Sequence, residues 1–156
     1  MSDDPHPWRT ALDAIPILEI GRWAITGSAA LALHGVTMDP SDVDVLADPV
    51  AADSLTEHLR AFVVSDEAMW DRGDVRANRR VLVVLAGVDV EILVGVESVA
   101  NGVVRVSTSD LDHLDHLAVN GRQIPVLPLR TLVAILEATG KRERASMARD
   151  QLTLRS

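Results

Sequence analysis

Cysteine and tyrosine are missing from this chain of 156 residues; phenylalanine occurs once and tryptophan three times. Without cysteine there is no disulfide and no thiolate metal site, and a reducing cytoplasm is the expected compartment. So few rings argue against a stacking platform for single-stranded nucleic acid and leave the core to Val, Leu, Ile and Ala. No apolar run reaches the ~18 uncharged residues of a membrane helix, and the start Met1-Ser2-Asp3-Asp4-Pro5-His6-Pro7-Trp8 has no apolar signal segment, so neither a membrane span nor an export signal is expected. Basic residues are scarce early: residues 1–70 hold 3 basic and 12 acidic side chains, whereas residues 71–156 hold 12 basic and 11 acidic ones. The net charge of −8 disfavours indiscriminate binding to DNA or RNA.

What is present suits a globular domain. The hydrophobic fraction is 47%, well above that of disordered chains. The length fits one domain over residues 1–156, which buries roughly 68–70% of its unfolded surface. Apolar spacing predicts a helix over Pro7–Glu19, interrupted or ended by Pro16, then a short strand Trp23–Thr26. An Ala/Leu-rich helix, Ser28–His34, stops at Gly35. Asp42–Ala47 alternates charged and apolar residues as a strand does, and Asp48-Pro49 opens the next helix. Met69–Asn78 reads as a polar loop. Val81–Ala86 and Val88–Val94 read as a hairpin around Gly87, and Gly102–Val106 as a strand. Asn120-Gly121 marks a hairpin turn within Leu117–Leu127. Leu129–Ala138 and residues 141–154 close the chain as helices. The order predicts an α/β fold, a mixed β-sheet flanked by helices with a short C-terminal helical portion.

Three clusters carry potential chemistry. Asp42 and Asp44 stand two apart in a strand, so they share a face at roughly 6.5–7 Å, with Val43 and Val45 turned inward. Such a pair can hold divalent ions, and it is also what a polar strand face beside a turn looks like. Gly27-Ser28 follows a strand and opens a helix, where backbone N–H groups and a hydroxyl can face an anion; a plain strand–turn–helix junction has the same residues. Asp89 and Glu91 again share one strand face, and a second acidic stripe is costly unless cations or partners compensate it. Weaker features are the Asp112-His113 and Asp115-His116 repeat, read as a solvated turn; His34, read as structural; and Lys141-Arg142-Glu143-Arg144 with Arg149, either a phosphate-binding patch or a solvated helix face.

Gly27-Ser28, then Asp42-Val43-Asp44-Val45 after 13 residues, then Val90-Glu91-Ile92 together resemble the DNA polymerase β-like nucleotidyltransferase superfamily. More narrowly they resemble its small bacterial members, among them antibiotic-modifying and toxin–antitoxin enzymes. The motif proper covers residues 25–46; the looser similarity runs on to Arg149-Asp150. The resemblance implies a nucleotidyltransferase-like fold and metal-dependent transfer of a nucleoside monophosphate from an NTP to an acceptor hydroxyl, releasing pyrophosphate. It assigns Asp42, Asp44 and Glu91 as catalytic and metal-binding carboxylates for two Mg²⁺ ions (or Mn²⁺), with Asp89 the competitor for the third place, and Gly27 and Ser28 to the nucleotide phosphates. The acceptor it implies is a small molecule, a tRNA or a protein, and it allows a protein partner. Two departures stand out. Relatives carry a basic residue shortly before the first Asp, where this chain has Thr37-Met38-Asp39-Pro40, and many carry a lysine where this chain has Leu136-Glu137. Arg79, Arg80, Lys141 and Arg142 are the replacements on offer. The alternative is a catalytically degenerate binding, antitoxin or regulatory module of the same fold.

Overall fold

The computed structural model describes residues 4–155. It contains α1 (Pro7–Asp13), β1 (Trp23–Thr26), α2 (Gly27–Leu33), β2 (Val43–Ala47), α3 (Pro49–His58), β3 (Val63–Asp71), β4 (Val75–Leu85), β5 (Val88–Val94), β6 (Glu97–Ala100), β7 (Val103–Val106), β8 (Asp115–Val119), β9 (Arg122–Val126), α4 (Leu129–Ala138) and α5 (Arg142–Leu154). The strands form one mixed sheet ordered β7-β6-β4-β5-β2-β1-β9-β8, with β3 added along β4. The pairs β2–β5 and β1–β9 are parallel; β1–β2, β4–β5, β3–β4 and the outer hairpins are antiparallel. The expected mixed sheet with helices and a C-terminal helical portion is therefore present. Among the described residues no helix is long and apolar enough to cross a membrane.

Alternation along β2 and β5 places the site. Val43, Val45, Val90 and Ile92 are at most 1% exposed and anchor the two central strands, while Asp44 and Glu91 between them face the other way. Aliphatic side chains build the core, joined by Trp8 and Trp23. Burial at this density makes Ile92→Ala expensive: a loss of about 3 kcal/mol is expected from the missing methyls and the cavity left behind, measurable by urea denaturation.

The helix boundaries follow from local chemistry. Asp48 caps α3, accepting from the Ala51 N–H at 2.8 Å and from the Arg22 N–H at 2.9 Å, with Pro49 in the first turn. α1 is shorter than the apolar spacing suggested: it ends at Asp13, because Pro16 has no N–H and disfavours helix in the residue before it. Arg122 from β9 then donates to the carbonyls of Leu12, Asp13 and Ile15.

Four strand assignments differ from the sequence reading. β2 begins at Val43, so Asp42 sits on the bend just before it. The stretch expected as a loop from Met69 is instead the end of β3, a tight turn and the start of β4. β3 hides from hydropathy because it is largely exposed; cross-strand charge pairs such as Arg79 with Asp66 hold it in place of an apolar face. β6 was hidden likewise in Glu97–Ala100, turning into β7 through Asn101-Gly102 with φ 54° and 75°. β8 starts at Asp115, earlier than expected, after a short 3-10 turn over Thr108–Asp112.

His34 is structural, as expected. It is 1% exposed; its Nε2–H donates to the Leu127 carbonyl at 2.8 Å, and its Nδ1 accepts from Arg155 at 3.0 Å. Burial, with the Arg155 charge, holds its pKa below the usual value, against the Leu127 carbonyl and Asp115. A depressed base costs nothing above the unfolded value of about 6.5 and destabilises progressively below it. Relative to His34→Gln, the parent protein should therefore lose stability between about pH 6.5 and 5, read from the difference in their denaturation midpoints.

Candidate active site

The strand β1 ends at Thr26, whose register partner is Asp44 on β2, and Asp44 in turn lies beside Glu91 on β5. The chain leaves β1 through Gly27 at φ 67°, a conformation suited to glycine. A Cβ on Gly27 would stand 2.7 Å from Oδ2 of Asp44. Gly27 thus makes room for the carboxylate, and Ser28 beyond it sits in the first turn of α2.

Asp42, Asp44 and Glu91 line one cavity of about 480 Å³ together with Gly27 and Ser28. Asp89 does not reach it: its side chain is exposed farther along β5, opposite Val84. Burial first, then the negative charges of Asp42 and Glu91, push the Asp44 carboxyl up to about 7, against the pull of Lys141 and Arg72. Glu91 accepts from Arg80 at 2.7 Å, and Arg80 lies 5.4 Å from the centre of the Trp70 ring. The Arg80 Nε–H is buried without a partner.

These carboxylates fit a hard divalent cation. The donors are all oxygens, and Asp44 carries a charge that its neighbours leave uncompensated. Among the described residues no three carboxylate or imidazole groups already close around one point. Mg²⁺ needs no such cage, since it is commonly bound by one or two carboxylates plus water and substrate phosphates.

The basic residues were the least legible part. Arg79 does not line the cavity; it is tied to Asp53 at 2.6 Å and to Asp66 at 2.9 Å. Arg142 does not line it either, and Arg149 pairs with Glu137 at 2.5 Å. Lys141 does line it, with Arg144 one turn on in α5, and neither has an ion-pair partner among the described residues. Arg72, Arg105 and Trp70 also line it. Trp70 and Arg72 fall in the stretch that reads as a polar loop, and the strand read over Gly102–Val106 carries Arg105 but no signal that it borders the site. Asp110, also on the wall, accepts two bonds from Arg105, at 2.7 and 2.8 Å.

No protein-family model matches the chain, and no curated protein matches it by sequence. Solved structures do resemble it. A candidate nucleotidyltransferase from Thermotoga maritima superposes with a TM-score of 0.71 at 22% identity, over 93% of this chain and 89% of that one. The structure of ANT(2'')-Ia in complex with adenylyl-2''-tobramycin superposes with a TM-score of 0.53 at 12% identity, over 92% of this chain and 86% of that one. The chain has the fold of these nucleotidyltransferases, in agreement with the resemblance read from its motifs.

Proposed function

We propose that the protein is a metal-dependent nucleotidyltransferase that moves a nucleoside monophosphate from an NTP to an acceptor hydroxyl and releases pyrophosphate. The observation that carries this reading is the convergence of Asp42, Asp44 and Glu91 on one cavity bordered by Gly27 and Ser28, in a fold shared with solved nucleotidyltransferases. Asp42 and Asp44 would hold the divalent ions, Mg²⁺ or Mn²⁺, with Glu91 as the third carboxylate. When bound, such ions acidify the acceptor hydroxyl and neutralise charge on the departing pyrophosphate. The chain's own residues supply position. The Gly27–Ser28 turn and the Ser28 hydroxyl border the place of the phosphates, and Arg80 orients Glu91 through its 2.7 Å bond. Lys141 and Arg144, free cations on the cavity wall, take over the role of the basic residues missing before Asp42 and at Leu136-Glu137.

The raised Asp44 carboxyl makes cation binding proton-linked. A cation needs the ionised form, so apparent Mg²⁺-nucleotide affinity should climb up to tenfold per pH unit below about 7 and level off above it. Calorimetry at pH 6, 7 and 8 in buffers of different ionisation enthalpy reads both the affinity and the released proton.

The activity is tested with each labelled NTP, Mg²⁺ or Mn²⁺ and an acceptor panel of tRNA, protein, aminoglycoside and lincosamide. Transfer by the parent protein that vanishes in Asp42→Ala and Asp44→Ala supports the assignment. Absence of both transfer and metal-dependent nucleotide binding would leave the degenerate binding module.

A further inference from the structure

The carboxylates divide the cavity. In the sheet order, β2 and β5 carry Asp44 and Glu91; β1, leading to Gly27 and Ser28, lies on one side, and β4, β6 and β7 lie on the other. The far wall on that second side comes from the outer strands and their turns: Trp70, Arg72, Val96, Ser98, Ser107 and the Arg105–Asp110 pair.

This far wall offers hydrogen-bond donors with no side-chain acceptor left to meet them. Ser98 is 8% exposed, its hydroxyl makes no hydrogen bond among the described residues, and it lies on the cavity wall. Ser107 accepts from the Val96 N–H at 3.1 Å, which leaves its own proton free to donate. The Trp70 indole N–H has no acceptor among the described residues. Arg72 lies 5.9 Å from the centre of the Trp70 ring and pairs with Asp74 at 3.0 Å, both more than half exposed, an ion pair that a ligand can exchange at little cost. The one carboxylate of the wall, Asp110, is already saturated by Arg105 in a largely buried two-point pair. Met69, immediately before Trp70, is left-handed at φ 53°, an uncommon conformation for a non-glycine residue and one that tends to mark functional sites.

A polyammonium acceptor brings further donors to a wall that already lacks acceptors for its own. An oxyanion brings acceptors and negative charge, and its body can lie against the Trp70 ring. We propose that the acceptor is a hydroxyl compound bearing a carboxylate or phosphate, bound by Trp70, Arg72 and Ser98, and not a polycationic aminosugar. The assignment rests on the nucleotidyltransferase reading.

Phenyl phosphate and benzoate serve as probes, with tobramycin as the polycation. Trp8 and Trp23 are 3% exposed, so a ligand-dependent change in emission reports Trp70, and Trp70→Phe sets the background. The two oxyanions should change the emission saturably, and the tighter of them identifies the preferred group. Arg72→Ala should weaken both about tenfold, as expected for loss of a charge-assisted contact. Ser98→Ala should weaken them severalfold, and saturating Mg²⁺-ATP should leave them bound. Tobramycin should give no saturable change. The proposal is overturned if neither oxyanion binds, if tobramycin binds as tightly as either, if Arg72→Ala binds like the parent protein, or if ATP displaces the probes. Mg²⁺-dependent ATP binding, measured on the same protein, scores the parent reading separately. Its failure beside oxyanion binding removes transfer and keeps the site, whereas the reverse removes only the acceptor assignment.

Discussion

Asp44→Asn should make the metal-free protein more stable at pH 8, by about 2 kcal/mol, while lowering nucleotidyl transfer by at least ~10²–10³-fold. Both effects come from one carboxylate. In the fold its pKa is raised to about 7 from the 3.8 of a free aspartate. Between those values the folded protein binds the proton and the unfolded chain does not, so stability falls as pH rises. The loss is complete once pH passes about 7, and the difference corresponds to roughly 4 kcal/mol. An amide removes the charge and recovers part of that loss, worth about 4–8 °C in melting temperature for a domain of this size. The opposite pH slope belongs to His34, and the variants separate the two: Asp44→Asn removes the decline as pH rises to about 7, while His34→Gln removes the opposing loss as pH falls toward about 5. Mg²⁺-ATP should raise the melting temperature of the parent protein at pH 8 and leave that of Asp44→Asn unchanged. Equal stability of the two metal-free proteins across pH 5–8 would show that Asp44 is not strained by its surroundings.

Gly27→Ala is the second large effect. The new Cβ meets Oδ2 of Asp44 at 2.7 Å, and the backbone at φ 67° disfavours any side chain. A cost of about 1–2 kcal/mol in stability is expected from the backbone alone. Function should suffer more, because relief of the contact displaces Asp44, and a misplacement of about 1 Å can cost ~10²-fold in rate. Gly121 provides the comparison: at φ 79° it has the same backbone requirement, but a Cβ there meets nothing within 4 Å. Gly121→Ala should lose similar stability and keep full transfer. If Gly27→Ala also keeps full transfer, the turn is only a chain reversal and not a support for the site.

These residues also show why the sequence was readable in one half and opaque in the other. Central strands are buried on at least one face, so Val43, Val45, Val90 and Ile92 left a clear alternation, and the polar residues between them had to be explained. That is how Asp44 and Glu91 could be found and paired before the sheet was known. Asp42 was found by spacing although it lies just outside its strand. The outer strands carry no such signal. β3 and β6 are held by ion pairs and turn geometry, which leave no apolar period, so Trp70 and Arg72 could not be placed on the cavity wall; Arg105 stood on a recognised strand whose neighbour β6 was not, so its place in the sheet was hidden too. The basic replacements failed for a related reason. Arg79 and Lys141 are alike in sequence terms, and only the fold shows that Asp53 and Asp66 claim the first while the second faces the cavity.

Whether Asp42, Asp44 and Glu91 form a metal–nucleotide site is read most directly from an anomalous difference map of crystals grown with Mn²⁺ and a non-hydrolysable ATP analogue. An anomalous peak is expected against Asp42 and Asp44, with the triphosphate running past Ser28 toward Lys141 and Arg144. Nucleotide bound elsewhere, or bound in this cavity with no metal against Asp44, would contradict it.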